Sequence, residues 1–213
     1  MSERSVSRQQ RQKRWYTVLA PESFDRAELG ETPANEPEQV LGRTIETTLG
    51  ELTNDAGANN VKLTFAVADV GSDAAYTEFR SHEHTRDYLN SLVRRGASKI
   101  AAYRTVLTAD DYRVRIQPVA FTTQSADHSQ ERAIRRRMID LVEEAAAERS
   151  FEALVDSVVQ GRLSSAIYGE ARTIYPLRRV EIAKLTLDAH PAEVEAEQET
   201  AVDVDREDAD VEA

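Results

Sequence analysis

Cysteine is absent from the 213-residue sequence, and this absence excludes several kinds of chemistry at once. Without thiols the protein has no disulfide framework, no thiolate zinc site and no cysteine nucleophile. Apolar runs are also short, and none approaches the length of about 18 residues that spans a bilayer. The first residues, MSERSVSRQQRQKR, are polar and basic where a secretory signal peptide has an apolar segment. We therefore expect a soluble, cytoplasmic protein without a membrane partner.

The motifs of the common enzyme classes are missing as well. The eight glycines are scattered and form neither a G-x-G-x-x-G nor a G-x-x-x-x-G-K phosphate loop. Neither the G-x-S-x-G elbow of serine hydrolases nor the H-E-x-x-H zinc motif occurs. We therefore expect no enzymatic activity and no cofactor.

Two short polar motifs are nevertheless candidates for a chemical role. The His-Glu-His stretch at 82–84 would place two imidazoles on one side of a strand, where they could hold a metal ion, but no third ligand is identifiable. A polar strand end before a helix capped by Thr85 is the stronger interpretation, so no metal site is predicted. The Asp-Asp pair at 110–111 is interpreted as a hairpin turn, because adjacent side chains in a turn point apart.

Lysine is scarce in a sequence that carries a large net negative charge. There are 27 Lys and Arg against 38 Asp and Glu, which gives −11, yet only four of the basic residues are lysine. Acid excess with few lysines is typical of proteins from salt-adapted organisms. Much of the acidity is therefore interpreted as adaptation to the solvent, the alternative being a specific binding role for the acidic residues.

The charge divides the chain into three regions. Residues 1–14 contain five basic residues and one acid and form a basic arm, whereas residues 191–213 contain ten acids and one arginine. Because the acidic region has no aromatic or long aliphatic side chain, it cannot offset the entropy of ordering, and we expect a disordered tail. Residues 15–190 then form the folded core.

Hydrophobic periodicity within this core predicts an α+β fold. Alternation with a period of two, as at 61–67 and 112–121, predicts strands joined by short turns, which is typical of antiparallel pairing. The apolar phase slips within 179–187, and this slip predicts a bulged strand. Helical periodicity begins near Thr85, Asp127 and Ser150. We predict a mainly antiparallel β core, barrel-like or a sandwich, with about three helices.

Clusters of basic residues are the feature that the net charge conceals. Arg11, Lys13 and Arg14 lead into Trp15, which combines phosphate-binding charge with a flat ring able to stack on a base. Three consecutive arginines at 135–137 lie on one predicted helix. For these two clusters we favour anion binding over a solvated face, although Trp15 could equally be a core anchor. The remaining clusters, at 94–99, 113–115 and 178–179, are interpreted as solvated faces.

Five segments, read in order, resemble the signatures of one known family. They are KRWYTVLAP at 13–21, a G-R-x-x-E-x-x-L-x-x-L-x-N-D pattern at 42–55, HTRD at 84–87, RRRM at 135–138 and IYPL at 174–177. Each segment is weak alone, but five in the right order span nearly the whole predicted fold. The chain resembles the S3Ae family, also called eS1, of archaeal and eukaryotic small-subunit ribosomal proteins, in a version from a salt-adapted archaeon.

The resemblance implies a structural constituent of the small ribosomal subunit and no enzyme. It implies binding to small-subunit rRNA on the platform near the mRNA exit, with neighbouring ribosomal proteins and mRNA as further partners. The candidate rRNA contacts are Arg11, Lys13, Arg14, Trp15, Arg43, Arg86, Arg135, Arg136 and Arg137. The alternative function is an acidic protein-protein interaction module without RNA contact.

Overall fold

A computed structural model describes residues 13–197, which fall into two compact units. The first unit comprises the described residues up to Thr47 together with Thr64–Phe79, and the second comprises Thr48–Leu63 and the residues from Arg80 onward. Arg11, the rest of the basic arm before Lys13 and residues 198–213 of the acidic tail lie outside the described residues.

Nine strands and six helices are formed by residues 13–197. The strands are β1 Arg14–Leu19, β2 Glu28–Ala34, β3 Thr44–Thr48, β4 Val61–Val70, β5 Ala74–His84, β6 Lys99–Ala101, β7 Arg104–Leu107, β8 Arg113–Thr122 and β9 Leu177–Ala189. The helices are α1 Leu49–Thr53, α2 Arg86–Leu92, α3 His128–Glu148, α4 Phe151–Val159, α5 Arg162–Ala171 and α6 at 191–197. The prediction of about three helices is too low, partly because Gly161, with a left-handed φ of 71°, separates α4 from α5.

In the first unit, β1 lies between two partner strands. It pairs antiparallel with β2 and parallel with the first residues of β5. Alternation along β1 directs Tyr16 and Val18 into an apolar cluster with Val40 and Val67. The same alternation directs Trp15 to the opposite face, where its side chain is exposed. One face of β1 therefore anchors the strand while the other is presented to solvent.

The second unit is built around the long antiparallel pair of β8 and β9. Strands β6 and β7 pair with β8, and the end of β5 pairs with β9. Ala183 is an extra residue in β9, because Ile182 pairs with Pro118 while Lys184 pairs with Gln117. The bulge predicted from the sequence is thereby confirmed. Helix α5 packs against β9, and α3 packs against α5 and β7.

The strands hydrogen-bond in the order β2-β1-β5-β9-β8-β6, with β3, β4 and β7 attached beside this path. Among the described residues β2 and β6 do not pair with each other, so the pairing gives one open sheet. The α+β class is confirmed, but the expected barrel or sandwich is wrong. In the second unit, α3, α4 and α5 are inserted between β8 and β9. Helix α3 packs on β6 and β7, α5 packs on β9, and α4 packs on α3 and α5, so apolar residues are buried without closure of the sheet.

The acidic tail begins as a helix. The backbone amides of Glu193 and Val194 donate to the His190 carbonyl, and the His190 amide donates to the Glu193 carboxylate. Val194 is buried at 5 % exposure, and Glu197 accepts a hydrogen bond from Arg113 at 3.1 Å. The predicted disorder is therefore wrong for residues 191–197, since one buried valine and an ion pair hold this helix to the fold.

Gly50 is a buried glycine in α1 at a position with no room for a side chain. A Cβ atom there would collide with Asn59 Oδ1 and lie 2.6 Å from the Asp55 carbonyl oxygen, which is part of the backbone. We expect Gly50→Ala to lower the free energy of unfolding by about 1–3 kcal/mol because the loop must shift. Gly169→Ala is the control, because a Cβ atom at this helical glycine meets nothing within 4 Å. Equal urea midpoints for the two variants would contradict the expectation.

Candidate nucleic-acid interface

Lys13, Arg14 and Trp15, here called the N-terminal patch, are exposed at the start of β1. The Trp15 side chain is 62 % exposed, which excludes the interpretation as a core anchor. Its cross-strand neighbour is Pro33. Neither Lys13 nor Arg14 forms an ion pair with any residue between 13 and 197. The patch therefore displays an aromatic ring and two available cations on a strand that is fixed by its buried face.

Arg43 lies in the same unit and is engaged within the protein. Its Nε donates to the Gln39 carbonyl at 2.9 Å, and its Nη1 donates to the Pro33 carbonyl at 3.2 Å and to Thr32 Oγ1. These bonds fix the strand residue that pairs with Trp15. The geometry therefore supports a positioning role for Arg43, whereas the predicted contact with rRNA stays a prediction.

The three consecutive arginines of α3 have different surroundings. Arg135 Nε donates to the Ala101 carbonyl at 3.1 Å, and Arg137 Nη2 lies 3.2 Å from Glu170 Oε2. Arg136 is exposed and has no ion pair within the described part of the chain. Successive helix residues point about 100° apart, so a run of three cannot act as one cluster. Arg136 is therefore the most accessible of the three, whereas Arg137 is paired with an acid and Arg135 is partly engaged by a backbone carbonyl.

The arginines of the second unit differ in whether an acid of the protein neutralises them. Arg86 is exposed in the first turn of α2 and forms no ion pair with another described residue. Arg113 and Arg115 both contact Asp188, at 3.1 and 3.0 Å. The β8 arginines are thus neutralised internally, which explains their place on a strand face without requiring a ligand.

The His-Glu-His stretch forms part of a buried cluster that sequence reasoning missed. The cluster centres on Glu181 of β9, which is 6 % exposed. Its carboxylate accepts hydrogen bonds from Tyr88 Oη at 2.8 Å and from Arg179 Nε at 2.7 Å, and His84 Nε2 lies 3.6 Å away. His82 packs edge-on against His84. Strand β5 ends at His84, as the sequence predicted. Within residues 13–197 no group of three or more His, Asp or Glu side chains is arranged to hold a metal ion.

The surroundings shift the pKa values of residues in this cluster, among them Glu181, His82 and Arg179. Burial raises the pKa of Glu181, but contacts with His84, Arg179 and Tyr88 outweigh burial and lower the pKa to about 2. Burial, assisted by the neighbouring His84, lowers the pKa of His82 to about 3. Hydrogen bonding to Glu181 raises the pKa of Arg179. The cluster therefore contains a carboxylate, Glu181, that is held ionised and a histidine, His82, that is held neutral.

A separate cleft borders this cluster. It has a volume of about 360 Å³ and lies between the turn that joins α4 to α5 and the first residues of β9. Its lining residues are Gln160, Gly161, Ser164, Ser165, Tyr168, Arg178, Arg179, Val180 and Glu181. The sequence placed Arg178 and Arg179 on a solvated face, because the approach of α5 to β9 has no local signal.

Comparison with known proteins agrees with the resemblance seen in the sequence. The model of the Ribosomal S3Ae family matches residues 2–191. A protein of Haloarcula marismortui named small ribosomal subunit protein eS1 is 73 % identical over 213 residues, covering all of both chains. Proteins of the same name from Halobacterium salinarum and Archaeoglobus fulgidus are 68 % and 49 % identical, over 95 % and 89 % of this chain and 98 % and 90 % of theirs.

Two further expectations from the sequence, salt adaptation and the lack of a membrane-spanning helix, can be compared with these findings. Several of the relatives come from halophilic archaea, which supports the inference of salt adaptation from acid excess and lysine scarcity. No helix within residues 13–197 is long and apolar enough to cross a membrane. The chain belongs to the Ribosomal S3Ae family, which is a family of structural ribosomal proteins and not of enzymes.

Proposed function

We propose that this protein is a structural constituent of the small ribosomal subunit in the cytoplasm. It binds small-subunit rRNA on the platform near the mRNA exit and contacts neighbouring ribosomal proteins, with mRNA close by. The observation that carries the RNA contact is the N-terminal patch, where the exposed Trp15 ring stands beside two cations without intramolecular ion pairs.

Stacking and phosphate contacts are the interactions that this patch can make. An aromatic ring stacks on any base, and a lysine or arginine beside it neutralises a phosphate. Because Tyr16 and Val18 fix β1 in the core, the ring is positioned before RNA arrives. The bound RNA then has fewer groups to order, and this preorganisation favours affinity.

Salt adaptation is compatible with RNA binding by an acidic protein. At 1 M salt the Debye length is about 3 Å, so the net charge of −11 does not repel RNA at a distance. Bidentate arginine contacts to phosphate act at hydrogen-bond range and persist under these conditions. Exposed cations without an ion pair among the described residues, such as Lys13, Arg14, Arg86 and Arg136, therefore matter more for RNA binding than the net charge of the chain.

Trp15→Ala is expected to weaken binding to small-subunit rRNA by about 5- to 150-fold, because stacking of one base on an aromatic ring contributes about 1–3 kcal/mol. Filter binding at several concentrations of potassium chloride measures the effect. The salt dependence should be unchanged, since no charge is removed. Because the ring is exposed, the free energy of unfolding should also be unchanged.

Tyr103→Ala is the matched control for this experiment. Tyr103 is 66 % exposed, but the cation next to it in the sequence, Arg104, is paired with Glu143. We expect Tyr103→Ala to bind like the unaltered protein. Equal affinities for Trp15→Ala and the unaltered protein would exclude the patch. An unaltered protein that retains no rRNA would favour the acidic interaction module instead.

A further inference from the structure

The cleft between α5 and β9 has the donors that an anion requires. Its volume is about 360 Å³, and all of its lining residues belong to the second unit. In this region β9 pairs with β8 on one edge, whereas its pairing with β5 covers only residues 184–186. Residues 178–181 of β9, which line the cleft, therefore have one edge that no other described strand covers.

The first turn of α5 opens into this cleft. Gly161 precedes the helix with a φ of 71°, and no side chain caps the helix. The first intrahelical bond runs from the Ser165 amide to the Gly161 carbonyl, which leaves the amides of residues 162–164 without a backbone acceptor. Such amides, together with the helix dipole, attract anions.

Ser164 provides a second and independent indication of a ligand. Its side chain is only 7 % exposed, it lines the cleft, and its hydroxyl makes no hydrogen bond with any described residue. The Ser164 Oγ atom is not among the fully buried, unpartnered side-chain atoms of residues 13–197, so the hydroxyl opens to the cleft. Beside the free amides, it presents a donor to a polar group from outside the chain.

Two arginines of β9 supply the positive charge. Arg178 is exposed and forms no ion pair within residues 13–197. Arg179 uses Nε for Glu181, while its side chain is 59 % exposed, so its Nη groups remain accessible. Glu181 also lines the cleft, but its carboxylate is engaged by Tyr88 and Arg179. The charge presented to a ligand is therefore positive on balance.

We infer that this cleft binds a phosphodiester group of RNA. The amides at the start of α5 and the Ser164 hydroxyl donate to the phosphate oxygens, and Arg178 neutralises the charge. The identification of the anion as RNA rests on the proposed function, whereas the donors that select a phosphate are given by the cleft itself. The cleft and the N-terminal patch are distinct places on the chain, so each can be altered separately.

Two substitutions test the cleft in the full chain. Arg178→Gln is expected to weaken binding to small-subunit rRNA and to reduce the slope of log affinity against log salt by about 0.7–0.9, as expected for loss of one phosphate contact. Ser164→Ala is expected to weaken binding by about tenfold with an unchanged slope, because it removes a neutral donor. Arg115→Gln is the matched control, since Arg115 is paired with Asp188 and should leave both quantities unchanged.

Hydrogen exchange of the unaltered protein provides a test that needs no substitution. Addition of rRNA should slow exchange of the amides at 162–164, and inorganic phosphate at equal ionic strength should slow it less. If the unaltered protein binds rRNA while both variants bind equally well and these amides exchange unchanged, the cleft inference is wrong and the proposed function stands. Equal protection by inorganic phosphate would overturn the assignment to RNA. Failure of the unaltered protein to bind rRNA would overturn the proposed function itself.

Discussion

Replacement of Glu181 by alanine is expected to lower the free energy of unfolding by about 3 kcal/mol. Loss of one partner from a buried ion pair typically costs about 3–5 kcal/mol, because the remaining groups lose their compensation. Here Tyr88 loses its acceptor, and His84 loses the carboxylate that lies 3.6 Å away. The expected value is at the lower end because the Arg179 side chain is 59 % exposed and can be solvated.

The matched control for this substitution is Glu83→Ala. Glu83 is on the neighbouring strand and pairs with Lys184 at 3.0 Å, but both side chains are about half exposed. Exposed pairs of this kind contribute about 0–1 kcal/mol. Urea denaturation at a fixed concentration of potassium chloride compares the two variants. Similar losses for Glu181→Ala and Glu83→Ala would show that the buried cluster contributes no more than a surface pair.

Acidification is expected to destabilise the protein between pH 6.5 and pH 4.5 through His82. The unfolded chain takes up a proton on this histidine near pH 6.5, whereas burial delays protonation in the folded protein to about pH 3. The unfolded state therefore binds more protons in this interval, and stability falls as the pH falls. The loss is about 1.4 kcal/mol per pH unit, or about 2.7 kcal/mol at pH 4.5.

His82 and Glu181 affect the free energy of unfolding in different pH intervals. The pKa of Glu181 moves from 4.5 in the unfolded chain to about 2 in the fold, so its contribution is complete above pH 4.5 and is lost only below this value. His82→Leu should therefore flatten the dependence of unfolding free energy on pH between 6.5 and 4.5. His128→Gln, which replaces an exposed histidine, is the matched control. An unchanged pH dependence in His82→Leu would assign the acid sensitivity to other groups.

The exposure of Trp15 could be predicted from the sequence only in part. The residues around it are compatible with both stacking and core packing. Tyr16 and Val18 alternate with it, and strand geometry places alternate residues on opposite faces. Tyr16 and Val18 are the buried pair, so alternation accounts for the exposure of Trp15, but the sequence alone does not decide which face of β1 is buried.

The separation of Arg135, Arg136 and Arg137 was also predictable. A rotation of about 100° per residue distributes three successive side chains around α3. Which of them reaches a neighbour was not predictable, because Arg137 contacts Glu170, which is 33 residues away and on another helix. Local periodicity states where a residue points on its own element, and it contains no information about the element opposite.

The Glu181 cluster and the α5 cleft were inaccessible to sequence reasoning for the same reason. Tyr88 and Glu181 are 93 residues apart, and Ser164 is an ordinary helical serine until β9 is placed beside it. The open sheet is a related case: alternation identifies strands, but closure depends on long-range pairing. The bulge in β9 was predictable because a phase slip is a local signal.

The anchoring of α6 sets a practical boundary for the folded chain. Val194 is buried, His190 packs edge-on against Tyr112 at 5.7 Å, and Glu197 covers the guanidinium of Arg113. A chain shortened where the acidic composition begins, after residue 190, would lose the contacts of Val194 and Glu197 and uncover a cation. A chain that ends after residue 197 retains them. The fold thus extends seven residues into a segment whose composition resembles that of a linker.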